Sequence, residues 1–215
     1  HATPGAHFFT ADANGRAGLA IASPEQRGVW RFDGAQWVAS EATLPVKVDG
    51  KPLLTAVNGV DRGVRFRDLD GDGLSDLIVN NETQNAVFRQ RPSGGTWERA
   101  AFALPRKGCL VDANGTDQGL RFVDLNGDGR DDLVLSNDHD CWVRLFEGPA
   151  KGWTKTLLQT KAGSPNALPA IVSNGRLNGV WFHSGAMLLA NEFTAKQPDL
   201  VERHLFSDLP LKKSP

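Results

Sequence analysis

Only two cysteines, Cys109 and Cys141, occur in 215 residues, which excludes a disulfide-dense scaffold. Their spacing fits no zinc motif. Without a Cys-x-x-Cys-His segment the chain attaches no c-type haem. No apolar run approaches the ~20 residues of a membrane-spanning helix, so no membrane insertion is expected. The formal net charge is −1, and no global field favours nucleic acid or an anionic membrane as partner. Helical periodicity is weak throughout. No serine sits in a nucleophile-elbow context, no phosphate-binding loop appears, and no catalytic constellation emerges. The chain is therefore read as non-enzymatic. Clustered aspartates are abundant enough for glycosidase-type pairs, but the repeats give most of them another use.

What the sequence does have is punctuation. Its 23 glycines and 12 prolines cluster about every dozen residues, as short strands joined by turns require. Self-alignment then finds a period. The segment from Gly63 to Gly73 (GVRFRDLDGDG) returns from Gly119 to Gly129 (GLRFVDLNGDG), an offset of 56 residues. Asn58-Gly59-x-Asp61 matches Asn114-Gly115-x-Asp117, and Asp76–Val79 matches Asp132–Leu135. Weaker copies start at Gly5 and Gly179; the last has a shortened acidic loop. The repeats run over approximately 5–61, 62–117, 118–177 and 178–215. Each carries four candidate strands, so the expected fold is all-β: a β-propeller of four-stranded blades, occupying residues 1–215 as one domain. Whether four blades close, or belong to a larger propeller, is open at this stage.

The acidic segments carry the sharpest chemistry. Asp68, Asp70, Asp72 and Asp76 stand at positions 1, 3, 5 and 9 of one loop, and Asp124, Asn126, Asp128 and Asp132 in the other. Alternate side chains on a tightly curled loop converge, and Ca²⁺ takes 6–8 oxygen ligands. The backbone carbonyls of Leu74 and Arg130, at position 7, complete the expected ligand sets. An EF-hand needs a bidentate glutamate at position 12, where these loops have Val79 and Leu135 inside β-like runs. A strand–loop–strand calcium site is the better reading. Two Ca²⁺ sites are expected. In the first repeat Thr10, Asp12, Asn14 and Gly18 occupy the ligand positions, so a third site at Asp12 and Asn14 is weak or absent.

The run Phe66-x-Asp68-Leu69-Asp70-Gly71-Asp72-Gly73-x-x-Asp76-Leu77, and its copy from Phe122 to Leu133, resembles the VCBS/FG-GAP repeats of integrin-α-like β-propellers. The literal Phe-Gly and Gly-Ala-Pro signatures are absent, which favours the VCBS-like branch. The resemblance implies calcium loops between the first and second strands of a blade, a secreted or periplasmic setting, and a role in binding glycan or protein. It equally admits a non-catalytic accessory domain of a larger secreted oxidoreductase or polysaccharide-degrading enzyme, or a structural spacer. Other domains of a longer parent chain are compatible partners. His1 fits either a mature terminus left by signal cleavage or a cloning remnant.

Residues shared by the repeats read as architecture. Trp37, Trp97 and Trp153 pack blades, and Arg65 and Arg121 pair with a neighbouring aspartate or, alternatively, hold an anion. Departures from the repeat mark a candidate ligand face. Trp181 replaces the inner arginine and His7 does so in the first copy. The turn Asn137–Trp142 adds His139 and an aromatic without counterpart; Trp142 reads first as a packed residue of a polar hairpin and, in the alternative, as an exposed ring suited to stacking on a sugar or anchoring a protein. Strand alternation puts Cys109 and Cys141 on the propeller face opposite the calcium loops, in neighbouring elements. A Cys109–Cys141 disulfide is expected on that basis.

Overall fold

The computed structural model describes residues 5–91, 96–106 and 108–209. His1 lies outside them. The described chain is all-β, with only two single-turn 3-10 segments, Thr194–Lys196 and Phe206–Asp208. It forms two compact units, divided between Thr116 and Asp117, within a residue of the expected join between the second and third repeats.

The first unit holds two antiparallel four-stranded blades. One has strands His7–Thr10, Ala17–Ala22, Arg27–Phe32 and Trp37–Ala39; the other has Val64–Arg67, Asp76–Asn80, Asn85–Gln90 and Trp97–Arg99. The second unit holds a four-stranded blade of Leu120–Val123, Asp132–Ser136, Asp140–Leu145 and Lys155–Lys161. Its last blade has three strands among the described residues, Val180–His183, Ala186–Leu189 and Glu202–Leu205. The sequence reading expected a fourth strand there.

Glycine fixes where each blade begins. A Cβ on Gly63, Gly119 or Gly179 would lie 2.2, 2.6 or 1.9 Å from the carbonyl oxygen of Asn80, Ser136 or Ala190. Each also has a φ near +70° to +80°, a region L-side chains rarely adopt. The same glycines accept, through their carbonyls, a hydrogen bond from the N–H of those three partners. Asn-Gly pairs make the tight connecting hairpins at 58–59 and 174–175, with both residues at positive φ. That is the geometry of a type I′ turn.

Core packing follows the two-residue alternation of strands. In the first unit, Phe9, Ala20, Ala22 and Val29 on one face of the first blade meet Phe66, Leu77, Phe88 and Trp97 on the second. The Phe9 and Phe66 rings stack at 5.0 Å. In the second unit, Val134, Cys141, Val143 and Leu158 meet Val180, Phe182, Met187 and Phe206 in the same way. A Phe–Trp pair recurs inside each four-stranded blade: Phe8–Trp37 at 5.9 Å, Phe66–Trp97 at 6.0 Å and Phe122–Trp153 at 5.9 Å. The blade-packing role fits Trp97 and Trp153, which are buried. The equivalent face of the first blade has no neighbour within its unit. Phe8 there is 69% exposed and Trp37 41%.

The disulfide does not form: Cys109 and Cys141 are both free thiols. Cys141 points into the core of the second unit, where its sulfur accepts the Leu168 N–H at 3.2 Å. Cys109 instead lines a cleft of the first unit beside the Asn81–Asn85 turn of its own blade. For Trp142 the packed reading holds. It is only 3% exposed, because its register partner is Leu135 and its place in the repeat is that of buried Ala86. It is a core residue, not a stacking platform.

Equal repeat positions with unequal cover make a direct test. Trp97→Ala is expected to cost about 3 kcal/mol, as for a large core aromatic, and Trp37→Ala less than about 1 kcal/mol. Urea denaturation of the two variants measures the difference.

Candidate metal centres

Each acidic loop joins the first and second strands of its blade, and the aspartate at position 9 opens the second strand. Asp76 and Asp132 are 1% and 0% exposed. The Asp76 carboxylate accepts the N–H of Leu69 at 3.3 Å and of Gln90 at 3.0 Å, tying the loop to the third strand. Asp132 likewise accepts the N–H of Leu125 at 3.2 Å and of Phe146, the residue just after the third strand, at 2.7 Å. A tryptophan lies against each loop: the Trp97 indole N–H donates to the Ser75 carbonyl and that of Trp153 to the Asp131 carbonyl.

At position 1, Asp68 accepts from the N–H groups of Gly71 at 2.8 Å and Gly73 at 2.9 Å, and Asp124 from Gly127 and Gly129 at the same distances. At position 5, Asp72 accepts the N–H of Leu74 and Asp128 that of Arg130, both at 2.9 Å. These bonds curl the loops. In the first of them Asp68, Asp70 and Asp72 each bring one carboxylate oxygen to within 4.8 Å of the others. Oxygens around one Ca²⁺ at 2.3–2.6 Å are at most roughly 5 Å apart, so the three span a single ion. Asp70 Oδ1 is buried without a hydrogen-bond partner, which an oxygen-seeking cation would satisfy. The residues therefore fit calcium. In the second loop the Asn126 amide donates to Asp128 at 3.1 Å, so the amide and carboxylate at positions 3 and 5 sit together.

The outer loops differ as the sequence suggests. Asp12 is paired with Arg16 at 3.8 Å and accepts the Asn14 N–H at 2.9 Å. A Cβ on Gly18 would strike the Phe9 ring at 2.4 Å; a core aromatic fills the space where the fourth carboxylate would stand. In the last blade the loop is reduced to Ser184-Gly185, both at positive φ. Leu74 is buried and Arg130 exposed.

The ligand-face residues do not assemble. His139 is exposed on its turn, Asp138 accepts the Asn174 N–H at 2.6 Å, and Asp140 pairs with Lys161 at 2.6 Å. Their partners hold them apart. Trp181 is 42% exposed. Arg65 and Arg121 make forked ion pairs with Asp61 and Asp117, their shortest contacts being 2.7 and 2.6 Å, so both are occupied structurally. Burial, and next the Arg65 charge, hold His7 below the usual imidazole range.

Two features escaped the sequence reading. Arg89, on the third strand of the second blade, pairs with Asp70; only the strand register brings them together. A cleft of about 860 Å³ lies at the second-to-third-strand edge of the same blade, lined by Asp49, Asn81, Asn85, Arg99, Arg106 and Cys109. There Asp49 bridges Arg99 at 2.6 Å and the Asn85 N–H at 2.9 Å.

Blades with an aspartate-rich first loop define a class of repeat protein. Residues 68–135 match the family model for the FG-GAP-like repeat. This stretch, which holds both acidic loops, belongs to that repeat family. No curated protein matches the chain. Among solved structures, a chain of the Tc holotoxin pore of Photorhabdus luminescens has a similar fold, with a TM-score of 0.50 and 17% identity. The match covers 86% of this chain and 8% of that one, so this chain spans a small part of its length.

Burial, opposed by the two backbone hydrogen bonds and reinforced by the neighbouring aspartates, raises both Asp76 and Asp132 to about 7. An unfolded aspartate titrates near ~3.9. With the folded value above the unfolded one, this contribution to stability is complete below about pH 4 and lost as pH rises through about 7. In chelator, wild type is expected to lose stability from pH 4 to 8 relative to Asp76→Asn with Asp132→Asn. Chemical denaturation across that range reads the difference.

Proposed function

We propose that this chain is a calcium-stabilised recognition module of a secreted or periplasmic protein, binding a glycan or a protein. The observation that carries the proposal is the convergence of Asp68, Asp70 and Asp72, with one buried Asp70 oxygen left unpartnered. Bound calcium supplies the positive charge that gathered carboxylates need. The protein supplies the rest. Asp76 and Asp132 anchor their loops to the ends of the third strands, and Trp97 and Trp153 pack beneath. Holding those strand ends rigid steadies the opposite edge of each blade, where the second-to-third-strand turns lie.

In the first unit that edge carries the Asp49–Arg99 cleft. Its amides and paired charges suit hydroxyl-rich or peptide ligands, with Asn85 and Arg99 as polar contacts. The Asn85 side chain is itself braced by both backbone groups of Leu104, at 2.8 and 3.2 Å. The match of residues 68–135 to the repeat family supports an extracytoplasmic setting, as would calcium at the acidic loops; the free thiols lend it no support.

Saturation at 100 times the dissociation constant adds about 2.7 kcal/mol per site. Chelation should lower the melting temperature by roughly 5–10 °C for each site emptied. Asp70→Ala should remove part of the response, and Asp70→Ala with Asp128→Ala most of it. A melting curve unmoved by chelator would refute calcium at both loops. On a glycan array with calcium present, Arg99→Ala should abolish whatever signal the wild-type chain gives.

A further inference from the structure

The four first-to-second-strand loops treat the same charge problem differently, and of the central two only one has a third-strand cation paired with a ligand-position aspartate among the described residues. Arg89 precedes Gln90, whose N–H binds Asp76. Leu145 precedes Phe146, whose N–H binds Asp132. These residues hold one place in the repeat, an arginine in one blade and a buried leucine in the other. Arg89 Nη2 donates to Asp70 Oδ2, and the Asp70 side chain is only 7% exposed. Asp124, Asp128 and Asp132 have no ion pair among the described residues.

We infer that Arg89 is a positioning residue. It holds the Asp70 carboxylate and keeps the 68–76 loop ordered without calcium, which leaves the 124–132 loop as the one whose order depends on the ion. Charge-assisted hydrogen bonds are among the stronger single contacts in a protein, the more so when buried. Arg89 engages Oδ2 and leaves Oδ1 without a hydrogen-bond partner, so the pairing fixes the carboxylate while one of its oxygens remains available to an ion. The first blade shows the same device in reduced form, with Arg16 on Asp12. The second half of the inference rests on the calcium reading; the first half does not.

Hydrogen–deuterium exchange on the whole chain separates them. In chelator, wild-type amides of 69–76 should exchange at least about tenfold more slowly than those of 125–132. Arg89→Leu should erase that difference, and Arg89→Lys should retain part of it. Asp70→Asn with Arg89→Leu gives the first loop the position 3 residue and the third-strand neighbour of the second, and its 69–76 exchange should become calcium-dependent. Equal exchange of the two loops in wild type under chelator overturns the proposal, and so does unchanged 69–76 exchange in Arg89→Leu. If calcium slows exchange in neither loop, the calcium dependence of 124–132 is wrong, while the chelator comparison still decides the role of Arg89.

Discussion

Carboxylates gathered at the end of a β-sheet repel one another and resist burial, and each first-to-second-strand loop of this protein is shaped by how that repulsion is met. The first blade gives up charge. Gly18 lies under the Phe9 ring, and Asp12 is paired with Arg16. The second keeps four aspartates and recruits Arg89 from across the sheet. The third keeps three at the ligand positions, and none of Asp124, Asp128 and Asp132 has an ion pair among the described residues, its loop arginine, Arg130, being exposed. The last deletes the loop to a two-residue turn. The scaffold beneath scarcely changes: in both acidic loops the position 9 aspartate spans loop and third-strand end through two backbone N–H groups.

That scaffold explains why the loops can vary so freely. Blades are held by aliphatic and aromatic faces, with Phe9 on Phe66 in one unit and Val143 near Phe182 in the other. Glycine at 63, 119 and 179 sets the backbone where each blade starts. Neither depends on the acidic residues. Loop charge is thus free to be gained, compensated or lost while the blades keep their packing.

Much of this was legible in the sequence because repetition reports position. The aligned Asp-x-Asp-x-Asp pattern located both loops, the Gly-x-x-Phe pattern located the first strands, and the equal places of Arg65 and Arg121 pointed to their aspartate partners. What stayed hidden depends on contacts between distant strands. Arg89 reaches Asp70 only through the register of the second and third strands. Cys109 was assigned to the wrong neighbour because a long connection has no period to follow. Trp142 lies between these cases: the sequence offered a packed and an exposed reading, and parity with its buried repeat counterpart, Ala86, decides for the packed one.

The bare Phe8–Trp37 side of the first blade gives the architecture a direction. Phe66 is roofed by the Phe9 side of the blade before it, and Phe182 lies against the blade before it in the same manner. A blade therefore receives its cover from its predecessor and offers one to its successor, as overlapping tiles do. The Phe8 side is a tile edge with nothing laid over it inside its unit. Duplicating the gene segment for one blade and inserting it ahead of this one would shelter water-exposed aromatics and leave a new edge of the same kind. Propellers of many sizes can grow from such a repeat without any redesign of the core.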